Sequence, residues 1–348
     1  MRTVKSTMST GVVAIVGLVA VAVAVAVATL TAAAATAAPQ ARKDGSKLTL
    51  VAYSTPKEEY KELIPTFQKT AAGRDVSFDQ SYGASGDQAR AVVNGLPADL
   101  VQLSLEPDVK TLVDAGLVDA NWKKQLPNSG VPTTSVVVFV LRDGNPKKIK
   151  EWTDLARKGV GVVTANPITS GGAKWNIVSA YYSQIKAGKK PAQALDYLKR
   201  VAKNIVSFDK SGRDALNSFL SGKGDVLLTY ENEAILAQKQ KLPVFYRIPR
   251  ITLRIDTPVA MIKGSKNADA AKAFARYLFT PAAQLIAAKY GFRPVDTGVL
   301  ARQKFPPRPG LFTIDDQFIG GWSKADPLFF DQANGLFSKI VNSGGVGS

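Results

Sequence analysis

Four short segments of this chain combine glycine or proline with hydroxyl residues just ahead of a helical pattern. They are Ser54-Thr55-Pro56, SYGASGDQ at 81–88, NPITSGGAKWN at 166–176 and KSGRDALN at 210–217. Glycine removes the side-chain wall beside the backbone, and the first turn of a helix presents peptide N–H groups with no partner inside the helix. Together these make a seat for an anion. Taken singly, each segment is also what an ordinary Ser cap after a loop looks like. All four follow runs that read as strands, so they fall at the carboxyl edge of a sheet, where open α/β proteins bind ligands.

Other chemistry is excluded. The 348 residues include no histidine and no cysteine, which rules out a Ser-His-Asp triad, a Cys nucleophile, a disulfide and any His or Cys metal site. None of the four loops carries GxxxxGK[ST], SYGASG lacks the GxGxxG spacing, and Ser85 is not the centre of a GxSxG elbow. No catalytic residue, metal or cofactor is assigned. A hydrolase of the Ser/Lys type would need Lys174 or Lys210 beside a loop serine. Glu231 and Glu233, which follow the run ending at Tyr230, suit ion pairs better than contact with an anion.

Residues 1–38 have a positive start at Arg2 and Lys5, an apolar run at 12–30 and small residues at 35–37, the pattern of an export signal. The run is long enough to serve as a retained anchor instead. The formal charge is +17, and without Arg2 and Lys5 it is +15. Lysines come in scattered pairs such as Lys123-Lys124 and Lys189-Lys190, not in clusters interleaved with aromatics, so nucleic acid is not the expected partner.

Strand-like runs at 48–53, 76–80 and 98–103 alternate with helical patterns at 54–69 and 85–94. The β-rich run 134–141 carries the chain into a second alternating series, with strands at 161–165, 205–208 and 225–229 and helices after TSGG and at 211–220. A third run, 256–262 (DTPVAMI), leads back to amphipathic helices at 268–279 and 282–290. Two α/β lobes with a cleft and hinge follow. We assign 47–133 and 256–305 to lobe 1, 134–255 to lobe 2, and 306–348 to a C-terminal segment packing across both.

Longer stretches carry a family resemblance: SYGASGDQAR, GLPADLVQLSLEPDV, NWKKQLPNSGVPTTSVVVFVLRDGNPKKIKEW, NPITSGGAKWN, GDVLLTYENEA, and LFTID with GGW. From about residue 48 onward the chain resembles the sulfate- and thiosulfate-binding proteins that serve ABC importers. The resemblance implies a two-lobed type II periplasmic-binding-protein fold, each lobe a mostly parallel sheet flanked by helices, that closes on a dehydrated tetrahedral dianion. It implies ligand contacts at Ser85, at Ser170, Gly171 and Gly172, and at Gly212. Two positions depart from the family. Ser54 stands where an Asp usually offers its backbone N–H, and Tyr230 replaces a Trp.

The implied partners are sulfate or thiosulfate and a membrane permease, and the implied protein is a periplasmic or cell-envelope monomer rather than an enzyme. Ser54 and Tyr230 leave another oxyanion such as molybdate open. Fully ionised sulfate only accepts hydrogen bonds, so a pocket made of donors alone is expected, and phosphate, which carries a proton, is disfavoured.

Overall fold

In the computed structural model, residues 45–347 are described; the export signal assigned to 1–38 lies outside them. Two sheets organise the chain. The first has the order β10-β3-β1-β2, where β1 (Ser46–Tyr53) lies between β2 (Val76–Gly83) and β3 (Leu100–Gln102), parallel to both. Leu48, Leu50, Val51, Ala52 and Tyr53 are all buried, because a central parallel strand is covered on both faces. α1 (Lys57–Gln68) follows β1 and buries Tyr60, Leu63, Ile64 and Phe67, the 3.6-residue stripe read from the sequence. α2 (Ser85–Val93) leaves β2, and α3 (Glu106–Asp114) leaves β3.

β4 (Thr133–Arg142) takes the chain into the second sheet, whose main order is β12-β9-β4-β7-β5-β6. Its side chains alternate between two cores: Val136, Val138 and Val140 enter one cluster, and Val137, Phe139 and Leu141 the other. β5 (Val162–Ala165) runs parallel to β6 (Ile205–Asp209) and β7 (Val226–Tyr230), while β4 is antiparallel to β7. α4 (Gly171–Lys186) and α5 (Pro191–Lys203) connect β5 to β6, and α6 (Gly212–Leu220) connects β6 to β7. α7 (Glu231–Lys239) starts directly after β7, and β8 (Val244–Arg247) pairs with β4.

β9 (Ile251–Asp256) still belongs to the second sheet, whereas β10 (Val259–Met261) joins β3 antiparallel in the first. The single run expected at 256–262 is therefore split at Thr257-Pro258. Proline has no N–H for a ladder, and the Pro258 carbonyl instead accepts from the Leu103 N–H. α8 (Ala268–Tyr277) and α9 (Pro281–Lys289) pack on the first sheet's core, with Phe274 and Phe67 ring centroids 4.9 Å apart.

β11 (Arg293–Pro294) returns to β4, followed by α10 (Thr297–Ala301) and by β12 (Gly310–Phe312), which pairs with β9. α11 (Trp322–Phe330) and α12 (Leu336–Asn342) bury Trp322, Phe329, Phe337 and Ile340 in the cluster containing Trp175, and α11 also touches α3. No helix among the described residues is long and apolar enough to cross a membrane.

Candidate functional site

The ends of β1, β2, β3, β5 and β7 and the starts of α4 and α6 meet at one small cavity. Of the residues picked out from sequence, Ser54, Ser85, Ser170, Gly172, Gly212 and Tyr230 line it. No lining residue carries a formal charge. Gly172 and Gly212 lie in the first turns of α4 and α6, where the helix supplies no acceptor for the peptide N–H.

Local hydrogen bonding separates the serines from one another. Ser211 is an ordinary cap, its Oγ accepting from the Asp214 N–H. Ser170 precedes α4 in the same way, yet its hydroxyl makes no cap bond while being 4% exposed. Ser85 is the first residue of α2. Its Oγ donates to Asp108 Oδ2 at 2.5 Å and accepts from the Ser104 N–H at 2.8 Å, which turns the hydroxyl proton toward Asp108. Burial pushes the Asp108 carboxyl up to about 6, against the lowering effect of Lys174 and of the Ser85 bond. Tyr230 Oη lies 2.5 Å from Ser104 Oγ, and burial raises its pKa, keeping it a phenol and a donor.

Gly171 does not line the cavity. A Cβ there would sit 1.8 Å from Leu105 Cδ2 and 2.7 Å from Asp108 Oδ2, so its missing side chain lets α4 of the second lobe press against α3 of the first. The lobes also meet through the Gly86 N–H on the Thr169 carbonyl (2.9 Å), Arg90 on the Ile168 carbonyl (3.2 Å), and Trp175 Nε1 on the Ser104 carbonyl (2.8 Å). Arg213 makes two 2.8 Å bonds to buried Glu233 and reaches the Thr55 carbonyl at 3.4 Å, tying the start of α6 to the end of β1. Glu231 forms a buried bidentate pair with Arg293. Both glutamates are thus held in ion pairs. Lys174 is paired with Asp326 at 2.7 Å and Lys210 with Asp87 at 3.4 Å, and neither lines the cavity, so the Ser/Lys arrangement is not assembled.

Tyr53, Thr55, Ser104 and Asn176 also line the cavity, although the sequence reading assigned none of them a ligand contact. Asn176 had a usable signal, since it lies four residues after Gly172 and so on the same helix face. Its Nδ2 donates to the Leu228 carbonyl and to Thr164 Oγ1, which fixes the amide orientation and leaves Oδ1 buried without a partner. A wall expected to offer donors alone thus includes a residue that carries an unpaired acceptor. Tyr53 Oη and Thr55 Oγ1 are likewise buried without a hydrogen-bond partner.

Residues 48–293 match the family described as bacterial extracellular solute-binding protein. The chain is 43% identical to a sulfate-binding protein of Synechococcus elongatus, over 84% of this chain and 86% of that one. It is 34% identical to a thiosulfate-binding protein of Pseudomonas aeruginosa, over 84% and 91%. Among solved structures it is similar to the sulfate-binding protein SubI from Mycobacterium tuberculosis, at 42% identity and a TM-score of 0.78, covering 82% of this chain and all of SubI. On the strength of these matches and the two-lobed fold, the chain belongs to the bacterial extracellular solute-binding protein family.

Proposed function

We propose that this chain captures sulfate, or its relative thiosulfate, between its lobes outside the cytoplasm and delivers it as a monomer to an ABC permease. The observation that carries this reading is the uncharged cavity walled by first-turn peptides of α4 and α6 and by hydroxyls from both lobes. Helix termini supply partial positive charge there without a counter-ion. Each N–H or O–H bond to the dianion contributes on the order of 1.5–3 kcal/mol, offset by dehydration of the ion. In this reading the ligand contacts are Ser54, Ser85, Ser170, Gly172, Gly212 and Tyr230, with the Gly171 peptide beside them. In the same reading the contacts between lobes form on closure, so a ligand gripped from both sides shifts the population toward the closed state.

Asn176 Oδ1 can satisfy one ligand proton. Dihydrogen phosphate brings two and carries one negative charge fewer, so it accepts less from the peptide N–H groups that wall the pocket. Preference for sulfate over phosphate therefore widens as pH falls from 8 to 6. Titration calorimetry with sulfate, thiosulfate, molybdate and phosphate at both pH values tests the reading. Sulfate or thiosulfate binding most tightly is the expected result, and molybdate or phosphate in first place would reassign the ligand.

A further inference from the structure

Buried polar groups in folded proteins are almost always hydrogen-bonded, because an unpaired one forfeits its hydration. Tyr53 and Thr55 break that rule side by side. They flank Ser54 at the end of β1, are 3% and 6% exposed, and their hydroxyl oxygens are sealed from bulk solvent with no partner, although both residues line the cavity. The Tyr53 hydroxyl lies close enough to the Thr55 and Thr257 hydroxyls for both to draw its pKa down, though neither contact reaches full hydrogen-bond geometry, and burial, the larger effect, holds its proton on well above the usual phenol range. Thr55 stands at the junction of the lobes: its carbonyl receives Arg213, and its Cγ2 lies 3.6 Å from where a Gly212 Cβ would be. The methyl thus faces α6, and the hydroxyl lies beside that of Tyr53.

We propose that Tyr53 and Thr55 are ligand-binding residues whose hydroxyls complete the donor set that the first lobe turns on the anion. The proposal rests on the oxyanion reading above. It gives that lobe side-chain donors which Ser85 does not provide, since the Ser85 proton is committed to Asp108. It also makes these residues destabilising until ligand arrives, which is the reverse of what a structural role requires.

The test measures sodium sulfate affinity by calorimetry and ligand-free thermal midpoint for the full protein and for Thr55→Val, Thr55→Ser and Tyr53→Phe. Thr55→Val and Tyr53→Phe are expected to weaken sulfate binding about 10- to 100-fold, the loss of a hydrogen bond to a charged group. Their ligand-free midpoints are expected to stay level or rise, and Thr55→Ser to bind within about threefold of wild type. Undiminished binding by both hydroxyl-deleted variants, with wild type still binding sulfate, overturns this inference alone and assigns the hydroxyls to ordered water only. Weaker binding accompanied by a lower ligand-free midpoint makes the residues structural and overturns it as well. Failure of the wild type to bind sulfate or thiosulfate overturns the oxyanion reading and the inference together.

Discussion

Gly172 offers the sharpest test of where the anion sits. A Cβ at this position would lie 3.5 Å from Tyr230 Oη and 3.3 Å from Ser170 Oγ, so any side chain grows into the cavity. A carboxylate there faces a dianion; charges of −1 and −2 about 4 Å apart repel by roughly 8 kcal/mol at an effective dielectric of about 20. That corresponds to a loss of about five to six orders of magnitude in affinity. Gly172→Asn has the same shape without the charge, so the pair separates repulsion from crowding. The fold should survive, because an acidic residue in the first turn of α4 gains roughly 0.3–1 kcal/mol from the helix dipole. Calorimetry with sulfate should show weakened binding for Gly172→Asn and none for Gly172→Asp, with partial recovery of the latter toward acid pH as the carboxyl takes a proton. Ligand-free midpoints within a few degrees of wild type would exclude misfolding. Binding by Gly172→Asp within tenfold of Gly172→Asn would refute the placement.

Further outcomes follow from the packing around the cleft and beneath the first lobe. Gly171→Ala forces a methyl into Leu105 and should weaken sulfate binding by about 10-fold or more without touching the ligand, while Leu105→Ala in the same chain should restore part of the loss, as a double-mutant cycle would detect. Burial pushes the Glu59 carboxyl up to about 8. The folded chain then keeps a proton that the unfolded chain loses above about pH 4.5, so stability falls as pH rises toward 8, by up to roughly 5 kcal/mol. Urea denaturation at pH 5, 7 and 9 should show this slope in wild type and a flatter one in Glu59→Gln; parallel slopes would show that Glu59 does not titrate this way. Removing Glu233 as Glu233→Gln leaves Arg213 without its countercharge and should lower both the thermal midpoint and sulfate affinity, because Arg213 also holds the Thr55 carbonyl.

Much of this was legible in the sequence because the signals were local. The apolar run of β1, the stripe on α1 and the Gly-Ser turns each depend on neighbours within a few residues. The strands at 244–256 escaped notice because their pattern is only half buried and no turn pair marks them, and Pro258 divided a run that hydropathy alone would keep whole. At the site, glycines and hydroxyls announced themselves, but what each hydroxyl does was decided by partners far away in sequence. Ser85 and Asp108 are 23 residues apart, and Ser104 and Tyr230 are 126 apart. Nor could spacing reveal that Gly171 clears room for Leu105 while Gly172, the next residue, opens onto the cavity.

The seam beside Gly171 also governs time. Leu105 and Trp175 are both fully buried where the halves of the molecule press together. Prising them apart wets greasy surface, at roughly 25 cal/mol for every Å² exposed, before any bond to the cargo has been given up. How long the cargo stays is thus set partly by a contact that never meets it, and that dwell time should respond to temperature as apolar hydration does rather than as ionic attraction does.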